Sequence, residues 1–133
     1  MGQAADLPTD DADMGTAFNS TMYTYVGEED EGGYVTQETD TDKYAIFEFK
    51  DWVGDLTECY LKWVGWTDYP GTGATIYLQI YNRDSEEWEN LDMVDTSPGL
   101  TVTLESAVLD LTDYTGDGFI SCRVYQVTPG DFE

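Results

Sequence analysis

The feature that most constrains this chain is the strict alternation of apolar and polar residues over residues 75–82. Ile76, Leu78 and Ile80 point to one side, and the residues between them point to the other. A repeat of two places one face of a β-strand in a core, whereas a helix would repeat about every 3.6 residues. Similar alternation is found at residues 43–50, 57–66, 100–104 and 119–127.

Turn signals separate these segments, so the sequence predicts seven or eight short strands. Residues 22–26 are predicted as the first strand and 34–37 as a short edge strand, and residues 75–82 and 88–94 as a hairpin. Residues 107–111 fit either a strand or a helical turn. No segment shows three turns of amphipathic helix. The predicted fold class is therefore all-β, an antiparallel β-sandwich of jelly-roll type that forms one domain over residues 18–133.

The charge of the chain is extreme, with 28 acidic residues, five basic residues, no histidine and a net charge of −23. Such a balance is typical of disorder, of a surface facing a partner or a high-salt solvent, or of mimicry of a polyanion. The apolar alternation excludes disorder for most of the chain. The acidic side chains repel one another in dilute buffer, and molar salt screens this repulsion beyond about 3 Å. A salt-adapted protein is therefore expected. Residues 1–17 are polar and acidic and are predicted to be a flexible or docking arm.

Two sequence blocks show a family resemblance. Residues 76–82 read Ile-Tyr-Leu-Gln-Ile-Tyr-Asn and lead through a polar turn to Glu-Trp-Glu-Asn-Leu-Asp. Residues 113–120 read Asp-Tyr-Thr-Gly-Asp-Gly-Phe-Ile and precede Cys-Arg-Val-Tyr. Together these motifs resemble galactose-binding-like jelly rolls and carbohydrate-binding modules, including those in appendage proteins of phages and archaeal viruses. The resemblance spans about residues 43–127 and implies the sandwich fold, but it carries over no ligand residue.

The composition excludes several classes of function. Without histidine there is no Ser-His-Asp or Cys-His nucleophile and no histidine zinc site, and two cysteines cannot form a four-cysteine site. We therefore expect no enzyme and no cofactor. Nucleic acid is not an expected partner, because phosphate binding needs clustered cations. No apolar run is long enough for a membrane span, and residues 1–13 do not resemble a secretory signal. The five cations are Lys43, Lys50, Lys62, Arg83 and Arg123.

Two pairs of residues leave alternatives open. Cys59 and Cys122 are predicted on core-facing sides of their strands, either as buried thiols or as a disulfide between strands. Asp113 and Asp117 lie in a stretch that resembles the start of a calcium loop, but its twelfth position is Val124 rather than glutamate. They are either ligands of a structural calcium ion or residues of a plain Asp-Gly turn.

Aromatic residues on the polar side of strands or near turns are the candidate contact residues. Their rings either stack on sugars, beside carboxylates that accept hydrogen bonds from hydroxyls, or pack against a protein neighbour or another strand. The candidates are Trp66, Tyr69, Tyr77, Tyr81 and Trp88.

Three functions follow from these observations. The first is a non-enzymatic structural protein of a virion or surface appendage, of capsid-decoration, turret, tail or fibre type. It would be a homo-oligomer at the virion or extracellular surface, whose arm orders on a neighbouring subunit. The alternative is a carbohydrate-binding module that uses the aromatic candidates. The third is an acidic mimic of DNA, ranked last because the acids fall mostly in turns.

Overall fold

The computed structural model of the protein describes residues 1–27, 33–38, 43–67 and 74–126. The described strands form two antiparallel sheets, one of five strands in the order β1-β2-β7-β4-β5 and one of two strands, β3-β6. The all-β, sandwich-like fold class is therefore confirmed. In chain order the elements are β1 (Gly2–Ala4), α1 (Ser20–Gly27), β2 (Tyr44–Trp52), β3 (Cys59–Gly65), β4 (Ala74–Asn82), β5 (Glu87–Thr96), β6 (Val102–Val108) and β7 (Phe119–Gln126).

The core lies between the two sheets and is built from the alternating apolar residues. Leu78 of β4 pairs with Val124 of β7, and Phe47 of β2 pairs with Val124 from the other side. These residues pack in one cluster with Leu61 and Leu104 of the smaller sheet, and all five are buried. Each such side chain stabilises the fold by about 1.5–3 kcal/mol on burial. The alternation therefore identified the core face correctly.

The β4–β5 hairpin is confirmed, with Tyr81 opposite Trp88 and Asn82 opposite Glu87. The Asn82 side chain closes the turn, because its Oδ1 accepts hydrogen bonds from the backbone N–H groups of Asp84 and Ser85 at 2.9 and 3.0 Å. A register shift between Leu78 and Gln79 interrupts the ladder.

The predicted first strand at residues 22–26 is wrong, because this segment lies in α1. Asn19 precedes the helix and caps it, since its Oδ1 accepts the N–H of Met22 at 3.0 Å. This bond satisfies one of the free N–H groups of the first turn, and the local cap outweighs the strand preference of the tyrosines. The short strand predicted at 34–37 is also absent, because residues 33–38 contain only an isolated bridge.

The N-terminal segment, residues 1–17, is called the N-terminal strap below. It lies on the domain itself, and β1 extends the large sheet by pairing Gly2 with Ile46 and Ala4 with Tyr44. The backbone N–H of Thr16 donates to Met1 O at 3.2 Å and closes the strap as a loop. The strap's acceptor groups bind donors on the large sheet, so residues 1–17 lie against their own domain here, and the expectation of a flexible or docking arm that orders on a neighbouring subunit stays a prediction. No helix in the described parts of the chain has the length and apolarity of a membrane span.

Candidate functional site

The outer face of the five-stranded sheet, opposite the core, carries three of the predicted contact residues. Tyr77, Gln79 and Tyr81 of β4 occupy this face because they alternate with the core residues of the strand. Tyr77 stacks on Tyr125 with ring centroids 5.2 Å apart, and Tyr81 lies 5.2 Å from Trp88. We call Tyr77, Tyr81, Trp88, Arg123 and Tyr125 the aromatic face.

Arg123 joins the two aromatic pairs. Its guanidinium carbon lies 4.2 Å from the Trp88 ring centroid and 5.5 Å from that of Tyr125. Its Nε donates to Gln79 Oε1 at 2.8 Å, and its Nη1 donates to Pro8 O at 2.7 Å. The residue is only 4% exposed. Burial lowers the pKa of Arg123 to about 10, so that it still carries a positive charge at neutral pH.

The N-terminal strap crosses this face, and five hydrogen bonds run to its residues 8–13 from side-chain donors on the sheet side. Lys50, Arg83 and Arg123, which are three of the five cations of the chain, supply charged donors, and Trp88 and Ser121 supply neutral ones. We call these five residues the strap site. The bonds are Lys50 Nζ to Asp13 Oδ1 (2.7 Å), Arg83 Nη1 to Asp11 Oδ2 (3.0 Å), Ser121 Oγ to Asp11 Oδ2 (2.6 Å), Trp88 Nε1 to Asp10 O (3.1 Å) and Arg123 Nη1 to Pro8 O (2.7 Å).

Asp11 is the best-held carboxylate of the strap. Its burial alone would raise its pKa, but the hydrogen bond from Ser121 and the charge and hydrogen bond of Arg83 outweigh burial. The pKa of Asp11 is therefore lowered from its ordinary value. Because the lowered pKa reports preferential binding of the ionised form, the strap site selects for anionic groups at this position.

Glu48 is a buried carboxylate beside the strap site. It lies on β2 opposite Arg123, its side chain is 5% exposed, and its Oε1 has no hydrogen-bond partner among the residues that the structure describes. The nearest cation is Lys50, whose Nζ lies 4.0 Å from Oε1. Desolvation raises the pKa of Glu48, although the charge of Lys50 opposes the rise. Glu48 is therefore a group whose ionisation costs stability in the folded state.

A cleft of about 300 Å³ opens between the strap and the β4–β5 hairpin. Gln79, Trp88 and Arg123 form its sheet side, and Glu86 and Glu87 lie at the hairpin. Leu7, Pro8 and Thr9 of the strap complete the lining. Its volume is at the lower end of the range for small-molecule pockets.

The predicted contact residues do not form one site. Tyr77, Tyr81 and Trp88 come together, but Tyr81 is only 8% exposed, because its neighbours on the aromatic face cover it. Trp66 follows β3 in the other sheet, where it packs edge-to-face against Tyr34 at 4.9 Å. Tyr69 lies outside the described residues.

Arg123 and Tyr125 were not predicted as contact residues, although the strand pattern contains a signal for both. The alternation of β7 puts Arg123 and Tyr125 on the face opposite Cys122 and Val124. The alternation of β4 likewise puts Tyr77 and Gln79 on the face opposite its core residues. In the sheet Arg123 pairs with Gln79 and Tyr125 pairs with Tyr77. The partners in the strap had no such signal, because residues 8–13 have no periodicity.

The two cysteines are free in the structure, so the alternative of a disulfide is not the state observed. Cys122 of β7 is fully buried and Cys59 of β3 is half-buried. Desolvation, with the charge of Cys59 as a smaller cause, raises the pKa of the Cys122 thiol. Neither thiol is activated as a nucleophile.

Asp113 and Asp117 lie on the exposed surface around the turn before β7. Asp117 and Gly118 both have positive φ, 51° and 83°, and the backbone groups of Gly116 and Phe119 pair on either side. This geometry is that of a two-residue hairpin turn, in which Asp-Gly is preferred. Within the described residues no group of three acidic or cysteine side chains is arranged to hold a metal ion. The calcium site stays a prediction.

Comparison with known proteins identifies the family but no activity. Residues 1–131 match the model of the family AF_1625_C, described as "Uncharacterized protein, C-terminal domain". No curated protein and no solved structure matches the chain. The resemblance to galactose-binding-like jelly rolls therefore stays a prediction. Since the match covers almost all of the chain, the N-terminal strap included, the chain belongs to the AF_1625_C family of C-terminal domains.

Proposed function

We propose that this domain is a non-enzymatic structural module that assembles with copies of itself in a virion or surface appendage. The observation that carries the proposal is a group of large, exposed apolar side chains at one end of the sandwich. They lie where β2 and β6 end and β7 begins. We call this group the end patch, and its members are Trp52, Leu56, Leu109 and Phe119, which are 67%, 62%, 76% and 41% exposed.

Trp52 is the anchor of the end patch. Its ring lies edge-to-face on Phe119 with centroids 5.0 Å apart. It also lies directly over Gly118, where an added Cβ would come within 2.4 Å of Trp52 Cζ3. The indole is thus held in place while most of its surface faces water, as in the rigid aromatic anchors of protein interfaces. Covering this surface would remove about 130 Å² from water, equivalent to about 3 kcal/mol.

The surroundings of the end patch explain how salt would control assembly. Exposed carboxylates flank the patch residues along the chain, so that two patches brought together would repel each other in dilute buffer. The Debye length falls from about 10 Å at 0.1 M salt to about 3 Å at 1 M. Self-association is therefore expected at high salt. The flanking acids are Asp51, Asp55, Glu58, Asp110 and Asp117.

The test is the mass of the chain in solution, measured by light scattering across a salt series. The wild-type chain is expected to assemble at molar salt, and Trp52→Ala to weaken assembly by about 30-fold, equivalent to about 2 kcal/mol. Leu100→Ala is the matched control, because Leu100 is similarly exposed but precedes β6 at the opposite end of the sandwich. A single-chain mass of 14.9 kDa at every salt and protein concentration would refute the proposal.

A second candidate function, glycan binding, is favoured by the cleft beside Trp88. The cleft combines an indole with the amide of Gln79 and the carboxylates of Glu86 and Glu87, the groups that sugar hydroxyls bind. Titration with a glycan panel, followed by tryptophan fluorescence, would test it. Trp88→Phe should abolish the signal and Trp66→Phe should keep it. If no glycan changes the fluorescence at about millimolar concentration, near the weak end of specific binding, this function is excluded.

A further inference from the structure

We propose that the strap site is an acceptor for an extended acidic peptide, and that in the assembled state its occupant is the N-terminal strap of a second copy. The proposal rests on the assembly function, because the end patch would bring the two copies together. The strap lies inside the region that matches the family, so it belongs to the domain rather than to an added tail.

The direction of the hydrogen bonds defines the ligand chemistry. The face offers three cations, an indole N–H and a hydroxyl, and the strap offers the carboxylates of Asp11 and Asp13 and the carbonyls of Pro8 and Asp10. A ligand for this face is therefore an extended chain with acids two residues apart and free carbonyls. The chain has 28 acids and only five bases, and three of those bases lie at the strap site. The cluster of donors therefore distinguishes this site from the rest of the acidic surface.

The strap also binds through its backbone. β1 adds an edge strand to β2, the mode in which extended peptides join a sheet in many complexes. Backbone pairing of this kind is available equally to a strap from the same chain or from a neighbour.

The strap can be exchanged as a unit. The Thr16–Met1 backbone hydrogen bond closes it as a loop, and an added Cβ on Gly2 would lie 2.7 Å from Met14 Cε, so its two ends are in contact. Phe18 then packs edge-to-face on Phe47 of the core at 6.3 Å. Residues 16–18 are thus the hinge. A linked segment has a high effective concentration, so a second copy competes only when it is held nearby, as in an assembly.

A charge-swap experiment on the full chain tests the exchange. Asp11→Arg alters the strap and leaves the strap site intact, whereas Arg83→Asp alters the site and leaves the strap intact. Neither variant can dock its own strap, but in a mixture each site accepts the strap of the other chain. The mixture at about 0.1 M salt is expected to give a species of twice the 14.9 kDa chain mass in native mass spectrometry, and each variant alone is not.

Two controls make the result decisive. The double variant Asp11→Arg/Arg83→Asp restores the pair within one chain, so it should be folded and monomeric. Asp6→Arg makes the same charge change on the strap at an exposed position, and its mixture with Arg83→Asp should stay monomeric. Equal dimerisation of the Asp6→Arg mixture, or no dimer in the Asp11→Arg mixture, overturns the proposal.

A second pair covers the case in which Arg83→Asp does not fold. Asp13→Lys mixed with Lys50→Asp repeats the design at the more exposed contact. The outcome is separable from that of the assembly function. If the charge-swap mixture forms a dimer but Trp52→Ala does not weaken assembly, the role of the end patch is refuted and strap exchange stands. If Trp52→Ala weakens assembly but the mixture forms no dimer, strap exchange is refuted and the role of the end patch stands.

Discussion

Replacement of Arg123 by methionine tests how the strap and the aromatic face are held together. Methionine keeps an unbranched apolar stem and removes the guanidinium, and with it the charge and both hydrogen bonds. The competing expectation is that a buried charge is a liability, so that an apolar substitute is neutral or stabilising. The structure argues against this outcome, because Arg123 donates hydrogen bonds to Gln79 Oε1 and Pro8 O and its charge stabilises the ionised form of the buried Glu48 opposite it.

The magnitude follows from opposing contributions. The bonds to Gln79 Oε1 and Pro8 O each contribute about 1.5–3 kcal/mol, and the stacking on Trp88 at 4.2 Å contributes about 1–2 kcal/mol. Burial of the charge costs about 3 kcal/mol, since the pKa is lowered from 12.5 to about 10. The variant is therefore expected to lose about 3 kcal/mol of unfolding free energy and about 10 °C in Tm.

Denaturant unfolding followed by tryptophan fluorescence measures this loss, and hydrogen exchange locates it. The amides of residues 9–13 should exchange faster in Arg123→Met, because the carbonyl anchor at Pro8 is gone. Lys62→Met makes the same change of charge at an exposed position on β3 and should shift stability by less than about 0.5 kcal/mol. An unfolding free energy of Arg123→Met equal to or above that of wild type would refute the reasoning.

Three further predictions concern titration and reactivity. Because the pKa of Glu48 is raised in the folded state, Glu48→Gln should stabilise the fold by about 1 kcal/mol at neutral pH, and this gain should vanish in denaturation measured below about pH 3, where glutamate is neutral in both states. Because the pKa of Asp11 is lowered in the folded state, its contribution is intact above its unfolded pKa of about 3.9 and is lost as pH falls through the folded value. In Asp11→Asn the unfolding free energy should therefore fall less steeply with pH below about pH 4 than in the wild type. An equal pH dependence in the two proteins would contradict the role of Asp11. A thiol reagent should modify Cys122 at least about 100-fold faster in denaturant than in the native state, and rapid native labelling would show that its burial is wrong.

The sandwich could be predicted because its core strands follow the period of two with few exceptions. In β4 the apolar residues Ile76, Leu78 and Ile80 are all fully buried, as the alternation predicts. The helix α1 could not be predicted from the same rule, because the tyrosines of residues 22–26 favour a strand and the Asn19 cap acts locally. Alternation of apolar and polar residues thus identifies strands that bury one face in the core. It does not identify segments that contribute only one or two side chains to the core.

The position of the strap on the sheet could not be predicted, for a different reason. Its docking depends on single polar contacts to residues distant in sequence, such as Asp11 to Ser121 and Pro8 to Arg123. Pairings of this kind leave no local pattern, and an acidic, small-residue segment resembles a disordered tail by composition alone. What the sequence did contain was the scarcity of cations, which makes each of the five a strong candidate for a specific partner.

The scarcity of cations also links the strap to the end patch through salt. The Lys50–Asp13 pair is exposed, with side chains 33% and 89% accessible, so molar salt weakens it, whereas the buried bond of Arg123 to Pro8 is little affected. The same salt screens the acids that flank Trp52 and its neighbours. An increase in salt therefore loosens the charged end of the strap within each chain while it lets the end patches approach. Both effects favour exchange of straps between wild-type copies, so exchange should be most frequent at the salt concentration where assembly begins.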